Sequence, residues 1–175
     1  MTPWEKLLAL TAATYVAFKA VTLRGLSGGR SAAYLSLWPG MDPRPFAQHR
    51  PEDGRPLMAW GALKMALGAA LLLAVRTGSL AGDAVVIALG IGLLVHLGLC
   101  DVLAGFWRTR GVPVGRLFVN PAASRSLSEF WGRRWNLAFH AVAHERIFKP
   151  VARRWGAVAG SSPPSPSPGF CTTSF

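Results

Sequence analysis

The chain has 175 residues, of which 51% are hydrophobic and 15% are charged, and its mean hydropathy is +0.30. A soluble domain usually carries about 25% charged residues, so this composition excludes an ordinary soluble globular protein. The net charge of +11 suits anionic lipid or an acidic cofactor. Because the basic residues flank apolar segments and form no soluble basic domain, we expect no nucleic-acid partner.

Three apolar segments are predicted to be transmembrane helices, at about 4–23, 57–75 and 84–107. Each has close to the roughly 20 residues that cross a hydrocarbon core. Lys6 and Lys19 lie near the ends of the first segment, where both side chains can reach the headgroups. No cleavage site of small residues follows that segment, so we interpret it as a retained anchor.

The distribution of basic residues predicts the orientation of these helices. Residues 24–56 hold five arginines and residues 108–155 hold ten basic residues, and three spans would put both regions on one side. The opposite side carries Lys6 and Arg76. The positive-inside rule therefore predicts an integral protein of the inner (plasma) membrane, with the N-terminus outside and the C-terminus in the cytoplasm.

Two ionisable residues, His96 and Asp101, fall inside the third segment. Such residues are costly within a membrane and often functional. Five positions apart, they lie about 140° apart around a helix and are not expected to pair directly. One of them is expected to face Lys64 of the second segment, and both packing and substrate contact remain open as roles.

A basic amphipathic helix is predicted from Ser126 to about Phe148. Ser126 and Glu129 have the spacing of a capping box, and apolar residues then recur at helical spacing. Arginines at 133 and 134 make a full membrane crossing costly. We therefore expect this helix to lie along the cytoplasmic interface or to re-enter the bundle.

These segments predict an all-α membrane protein in three parts. Residues 1–107 form the three-span transmembrane region, and residues 108–157 form a cytoplasm-facing segment that contains the amphipathic helix. Residues 158–175 are rich in proline and serine, a composition typical of disordered tails.

The sequence SLSEFWGRRWN (126–136), followed by IFKPV (147–151), resembles the signature of membrane-bound O-acyltransferases, closest to the wax synthase-like branch. SLWPGMDPRPF (36–46) and HLGLCDVLAGFWRTRGV (96–112) are similar to upstream elements of that branch. The resemblance implies ester formation from acyl-CoA, as co-substrate, and a long-chain alcohol. It also implies that the motif helix lines a chamber within the membrane and that no cofactor stays bound.

The resemblance implies a functional role for Asn136, the last position of the motif. An amide can donate to an oxyanion or orient the alcohol, but it is not a base. Of the two histidines that follow Asn136, His140 and His144, we name His144 as the candidate base. Arg133 and Arg134 could bind coenzyme A phosphates or, equally, lipid headgroups. The predicted substrate-binding residues are Trp131, Arg133, Arg134, Trp135 and His140.

The chain departs from the family pattern after the motif. The family's catalytic histidine lies on a later apolar helix, and no apolar span follows Asn136. We therefore expect a truncated or frameshifted product with little or no activity alone. His140 and His144 share a helix face, but without an evident third ligand no metal site is expected.

A second hypothesis involves no catalysis. In it, the chain is a small membrane protein whose basic amphipathic helix binds anionic lipid or a protein partner.

Overall fold

The structure is a computed structural model that describes residues 2–23, 26, 28–75 and 78–155. No strand occurs in these ranges, and the fold is all-helical. The predicted disordered tail, 158–175, lies outside the described residues, as do Arg24 and Arg76. The chain divides into two units, residues 1–142 and 143–175.

The helices are α1 (Pro3–Thr22), α2 (Gly29–Leu37), α3 (Arg55–Ala74), α4 (Leu80–Ile91), α5 (Cys100–Thr109), α6 (Leu127–Glu129), α7 (Leu137–Ala143) and α8 (Lys149–Trp155). In the described ranges, α4, α6 and α7 each continue into a π-helical segment; these are Gly92–Leu99, Phe130–Arg134 and His144–Phe148. Short 3₁₀ turns occur at Arg44–Ala47 and Pro121–Ala123.

Two helices of the described chain are long and apolar enough to cross a membrane. One is α3, at the position of the second predicted segment. The other is the continuous helix Leu80–Thr109, called here the long helix, which comprises α4, the first π-helical segment and α5. It extends beyond the predicted third segment at both ends. The first predicted segment corresponds to α1, which has 20 residues.

Glycines let α3 and the long helix approach closely. A Cβ atom on Gly61 would lie 2.7 Å from the backbone nitrogen of Val102, and one on Gly68 would lie 2.6 Å from the carbonyl oxygen of Gly90. On the facing helix, a Cβ on Gly98 would lie 2.5 Å from Cγ of Met65. Close backbone contact of this kind is how small residues hold helices together in lipid, where no hydrophobic effect drives association.

The buried core lies around α5, against α2, the loop between α2 and α3, and the loop that follows α5. Its members are Tyr34, Trp38, Phe46, Ala104, Trp107, Val114, Leu117 and Phe118. The Phe46 ring packs edge-on against Tyr34 and Trp107, with centroids 5.6 and 5.0 Å away. The indole N–H of Trp107 donates to the carbonyl of Leu37 at 3.1 Å, so its polar atom is satisfied.

Lys19 links α1 to this core. The prediction that its side chain reaches the lipid headgroups is wrong. The residue is only 2% exposed. Its ammonium donates to the carbonyl oxygens of Tyr34, Trp38 and Gly40 at 3.0, 2.5 and 2.7 Å. Three acceptors satisfy all three donors of an ammonium group, which is why no carboxylate is needed to hold the charge there.

The single helix predicted from Ser126 to about Phe148 is interrupted. Trp135 has an extended backbone, and Asn136 has a φ of 45°, in the left-handed region. The backbone on either side of the break bonds to the preceding loop: Val119 N–H donates to the Arg134 carbonyl, and Leu137 N–H donates to the Leu117 carbonyl. These tertiary bonds replace the helical ones that the sequence pattern favoured.

Candidate substrate-binding segment

Residues 126–136, called here the motif segment, begin with a helix cap that the sequence predicted. Ser126 Oγ accepts the backbone N–H of Glu129 at 3.0 Å. Glu129 accepts the backbone N–H of Arg125 at 2.9 Å and the Nε of Arg134 at 2.8 Å. The Arg125 N–H, and then the Arg134 guanidinium, lower the pKa of Glu129 below its usual value.

The two adjacent arginines of the motif segment have different environments. Arg134 is half-buried, pairs with Glu129 and also donates to the carbonyls of Val119 and Asn120 at 3.5 and 3.3 Å. Arg133 is exposed, and none of the described residues forms a hydrogen bond or ion pair with its side chain. The sequence predicted the same role for the two arginines. In the structure, Arg134 stabilises the fold of the segment, whereas the Arg133 side chain is exposed.

Trp135 joins the motif segment to the long helix. Its ring stacks on Phe130 at 5.2 Å and on His96 at 5.5 Å, with interplanar angles of 17° and 27°. Phe118 packs edge-on against both Trp135 and His96. In the sequence, His96 and Trp135 stand out for different reasons. Nothing in their spacing predicted that the two side chains are in contact.

Asn136 caps the helix that follows the break. Its Oδ1 accepts the backbone N–H of Phe139 at 3.4 Å, and the side chain is exposed. Asparagine tolerates a positive φ better than most residues, so its local conformation also explains this residue type. Because Oδ1 is committed to the cap, the amide N–H₂ is the part of the group left to donate.

Two of the predicted substrate-binding residues, Trp131 and His140, line one shallow depression with a volume of about 390 Å³. The remaining lining residues are Leu127, Ser128 and Gly132. The depression is open, so it suits a surface-bound group better than an enclosed substrate. The candidate base His144 belongs to the second unit, where its ring stacks on Phe148 at 5.3 Å.

An ion cluster within the helical hairpin includes a residue that sequence reasoning missed. Asp101, 2% exposed, accepts from Lys64 at 2.5 Å, as expected for one of the two ionisable residues of the third segment. Arg116 adds a bidentate pair at 2.9 and 2.8 Å. Arg116 lies in the loop that follows α5. No sequence pattern predicts that this loop folds back against the long helix.

The π-helical segments of the described chain coincide with candidate residues: His96 in the first, Arg133 and Arg134 in the second, and His144 in the third. Such segments are rare and are frequent at functional sites. No protein-family model, curated protein or solved structure matches this chain.

Proposed function

We propose that this chain forms the donor-binding part of a membrane-bound O-acyltransferase of the wax synthase-like kind, which joins an acyl group from acyl-CoA to a long-chain alcohol. The observation that carries the proposal is the contrast within the motif segment. Arg134 and Trp135 hold the segment in place, while Arg133 is left exposed. An exposed guanidinium on a segment fixed to an apolar helix suits a ligand with a phosphate head and an apolar chain.

The chemistry of acyl-CoA supports this assignment. A guanidinium binds phosphate oxygens through charge-assisted hydrogen bonds, which are about twice as strong as neutral ones. The amide N–H₂ of Asn136 can donate to the oxyanion that develops on the thioester carbonyl. Trp131, Trp135 and His140 are the proposed contacts to substrate. His144 lies in the other unit and stays a candidate base for the alcohol proton on the sequence alone.

The proposed setting is the inner (plasma) membrane, crossed three times, with the N-terminus outside and the C-terminus in the cytoplasm. The 20 residues of α1 span about 30 Å as a helix, the thickness of a hydrocarbon core. The excess of basic residues in 24–56 and 108–155 supports the orientation.

A second candidate function, binding of anionic lipid without catalysis, is favoured by exposed apolar side chains near Arg133. Leu127, Trp131 and Phe139 are 74, 56 and 44% exposed. Apolar and aromatic side chains beside an arginine are typical of a segment that lies in the headgroup region.

The test measures binding of a long-chain acyl-CoA to the purified protein in nanodiscs of zwitterionic lipid. We expect Arg133→Gln to weaken binding about tenfold, the loss of one hydrogen-bonded charge. Arg30→Gln removes the same charge from an exposed position on α2 and should leave affinity unchanged. Equal losses in both variants would reduce the effect to net charge and contradict the proposal.

A parallel measurement in nanodiscs that contain anionic lipid separates the two functions. If Arg133 binds headgroups and not coenzyme A, association with anionic lipid will depend on Arg133 and acyl-CoA will not compete. That result would contradict the acyltransferase proposal and support the lipid-binding function.

A further inference from the structure

The imidazole of His96 has an unsatisfied polar atom in an apolar place. His96 lies on the long helix, one of the two described helices that could cross a membrane. Its Nδ1 is buried and has no hydrogen-bond partner among the described residues. Buried polar atoms without a partner are few in folded proteins, and each calls for an explanation such as a missing ligand.

The backbone around His96 has the geometry often found at binding sites. Residues Gly92–Leu99 form a π-helical segment, in which hydrogen bonds run between residues five apart. At the end of the same stretch, the Cys100 thiol donates to the Val95 carbonyl at 3.6 Å. In the proposed membrane setting the hydrocarbon core supplies no water, so a missing partner for Nδ1 must come from a protein group or a ligand.

The neighbours of His96 specify the kind of ligand. Trp135 covers one face of the ring and Phe118 packs against it edge-on. The nearest buried carboxylate in sequence, Asp101, is already paired with Lys64 and Arg116. A neutral ligand that is largely apolar and carries a single hydrogen-bonding group fits these surroundings, and a charged one does not.

We propose that His96 binds the hydroxyl group of a long-chain amphiphile, a fatty alcohol or a glycerolipid, whose chain runs along the apolar surface of the long helix. A hydroxyl both donates and accepts, so it satisfies Nδ1 in either tautomer of the imidazole. The identification of this amphiphile as the acyl acceptor rests on the proposed function. Binding of the hydroxyl itself rests on the geometry around His96.

The first experiment is a titration of the unsubstituted protein, and a variant serves only to assign its signals. The protein is labelled with ¹⁵N-histidine, placed in nanodiscs and titrated with a long-chain alcohol, a monoacylglycerol or the 1-bromoalkane of equal chain length. The ring signals of His96, assigned by their loss in His96→Phe, should shift with a hydroxyl compound and not with the bromoalkane. Which of the two hydroxyl compounds acts at lower concentration identifies the source. Equal responses to alcohol and bromoalkane would overturn the proposal.

The second experiment measures the affinity for a photoreactive long-chain alcohol. His96→Phe retains a ring to stack on Trp135 but removes the hydrogen-bonding nitrogens, and we expect about fivefold weaker labelling. His49→Gln is the matched control, because His49 packs against Gly111 and lies outside this cluster. The affinity of this variant for the alcohol should not change. Unchanged affinity in His96→Phe would contradict the proposal. If that variant fails to fold, the His96 signals can be assigned by elimination. Variants of His49, His140 and His144 identify the other three histidines, and the titration of the unsubstituted protein then decides alone.

The outcomes for the two proposals are distinguishable. Loss of alcohol binding in His96→Phe with no acyl-CoA binding at Arg133 would keep the hydroxyl site and overturn the acyltransferase. Acyl-CoA binding that depends on Arg133, with no response of His96 to alcohol, would overturn the hydroxyl site alone.

Discussion

Asn136 combines a conformational role with a proposed chemical one. Its φ of 45° and its bond to the Phe139 N–H account for an asparagine at a helix start that follows a break. The sequence resemblance assigns the same residue a part in acyl transfer. These roles use different atoms, Oδ1 for the cap and Nδ2 for the donor, so substitutions can separate them.

Asn136→Ala should destabilise the first turn of α7, whereas Asn136→Asp should leave the stability of that turn unchanged. Alanine loses the cap and is strained at positive φ, and together these should cost about 2 kcal/mol of local stability. Aspartate keeps the cap oxygen and tolerates the left-handed region, but has no N–H₂ to donate. Hydrogen exchange of the Phe139 amide measures the difference. Equal exchange rates in the two variants would show that the cap does not hold α7.

At the scale of elements, the close approach of α3 to the long helix depends on glycine positions. The apolar runs predicted both helices from length and hydropathy. The interruption at Trp135 and Asn136 was not predictable, because the helical spacing of apolar residues continues across it. Only the backbone bonds from 134 and 137 to the loop at 117–119 reveal why the helix stops.

Gly61→Ala is expected to lower the free energy of unfolding by about 1–3 kcal/mol, the usual cost of overpacking. The new Cβ would lie 2.7 Å from the Val102 nitrogen and 2.8 Å from the Gly98 carbonyl oxygen, so the helices must separate. Gly92→Ala is the matched control on the long helix, since no atom lies within 4 Å of its Cβ position. Reversible unfolding in mixed micelles gives both values. A loss of similar size at Gly92 would mean that helix separation is not the cause.

At the scale of the whole molecule, the charge asymmetry predicts the membrane orientation. We expect a cytoplasmic reporter fused after Ala157 to be active, and a periplasmic reporter to be active when it is fused after Ser79. The five arginines of 24–56 and the ten basic residues of 108–155 resist transfer across the membrane, which is the physical reason. Activity of the periplasmic reporter after Ala157 would require an even number of spans or the opposite orientation.

Hydropathy and charge along the sequence were enough to predict an all-helical chain with apolar helices near 57–75 and 84–107, the cap at Ser126 and a partner for Lys64. Each of these depends on local periodicity, composition or residue spacing. The burial of Lys19 among three carbonyls, the contact of Trp135 with His96 and the arrival of Arg116 at Asp101 became visible only in the tertiary structure. Each of those joins residues far apart in sequence through loops whose paths no local pattern encodes, because a loop is shaped by the surfaces on which it packs.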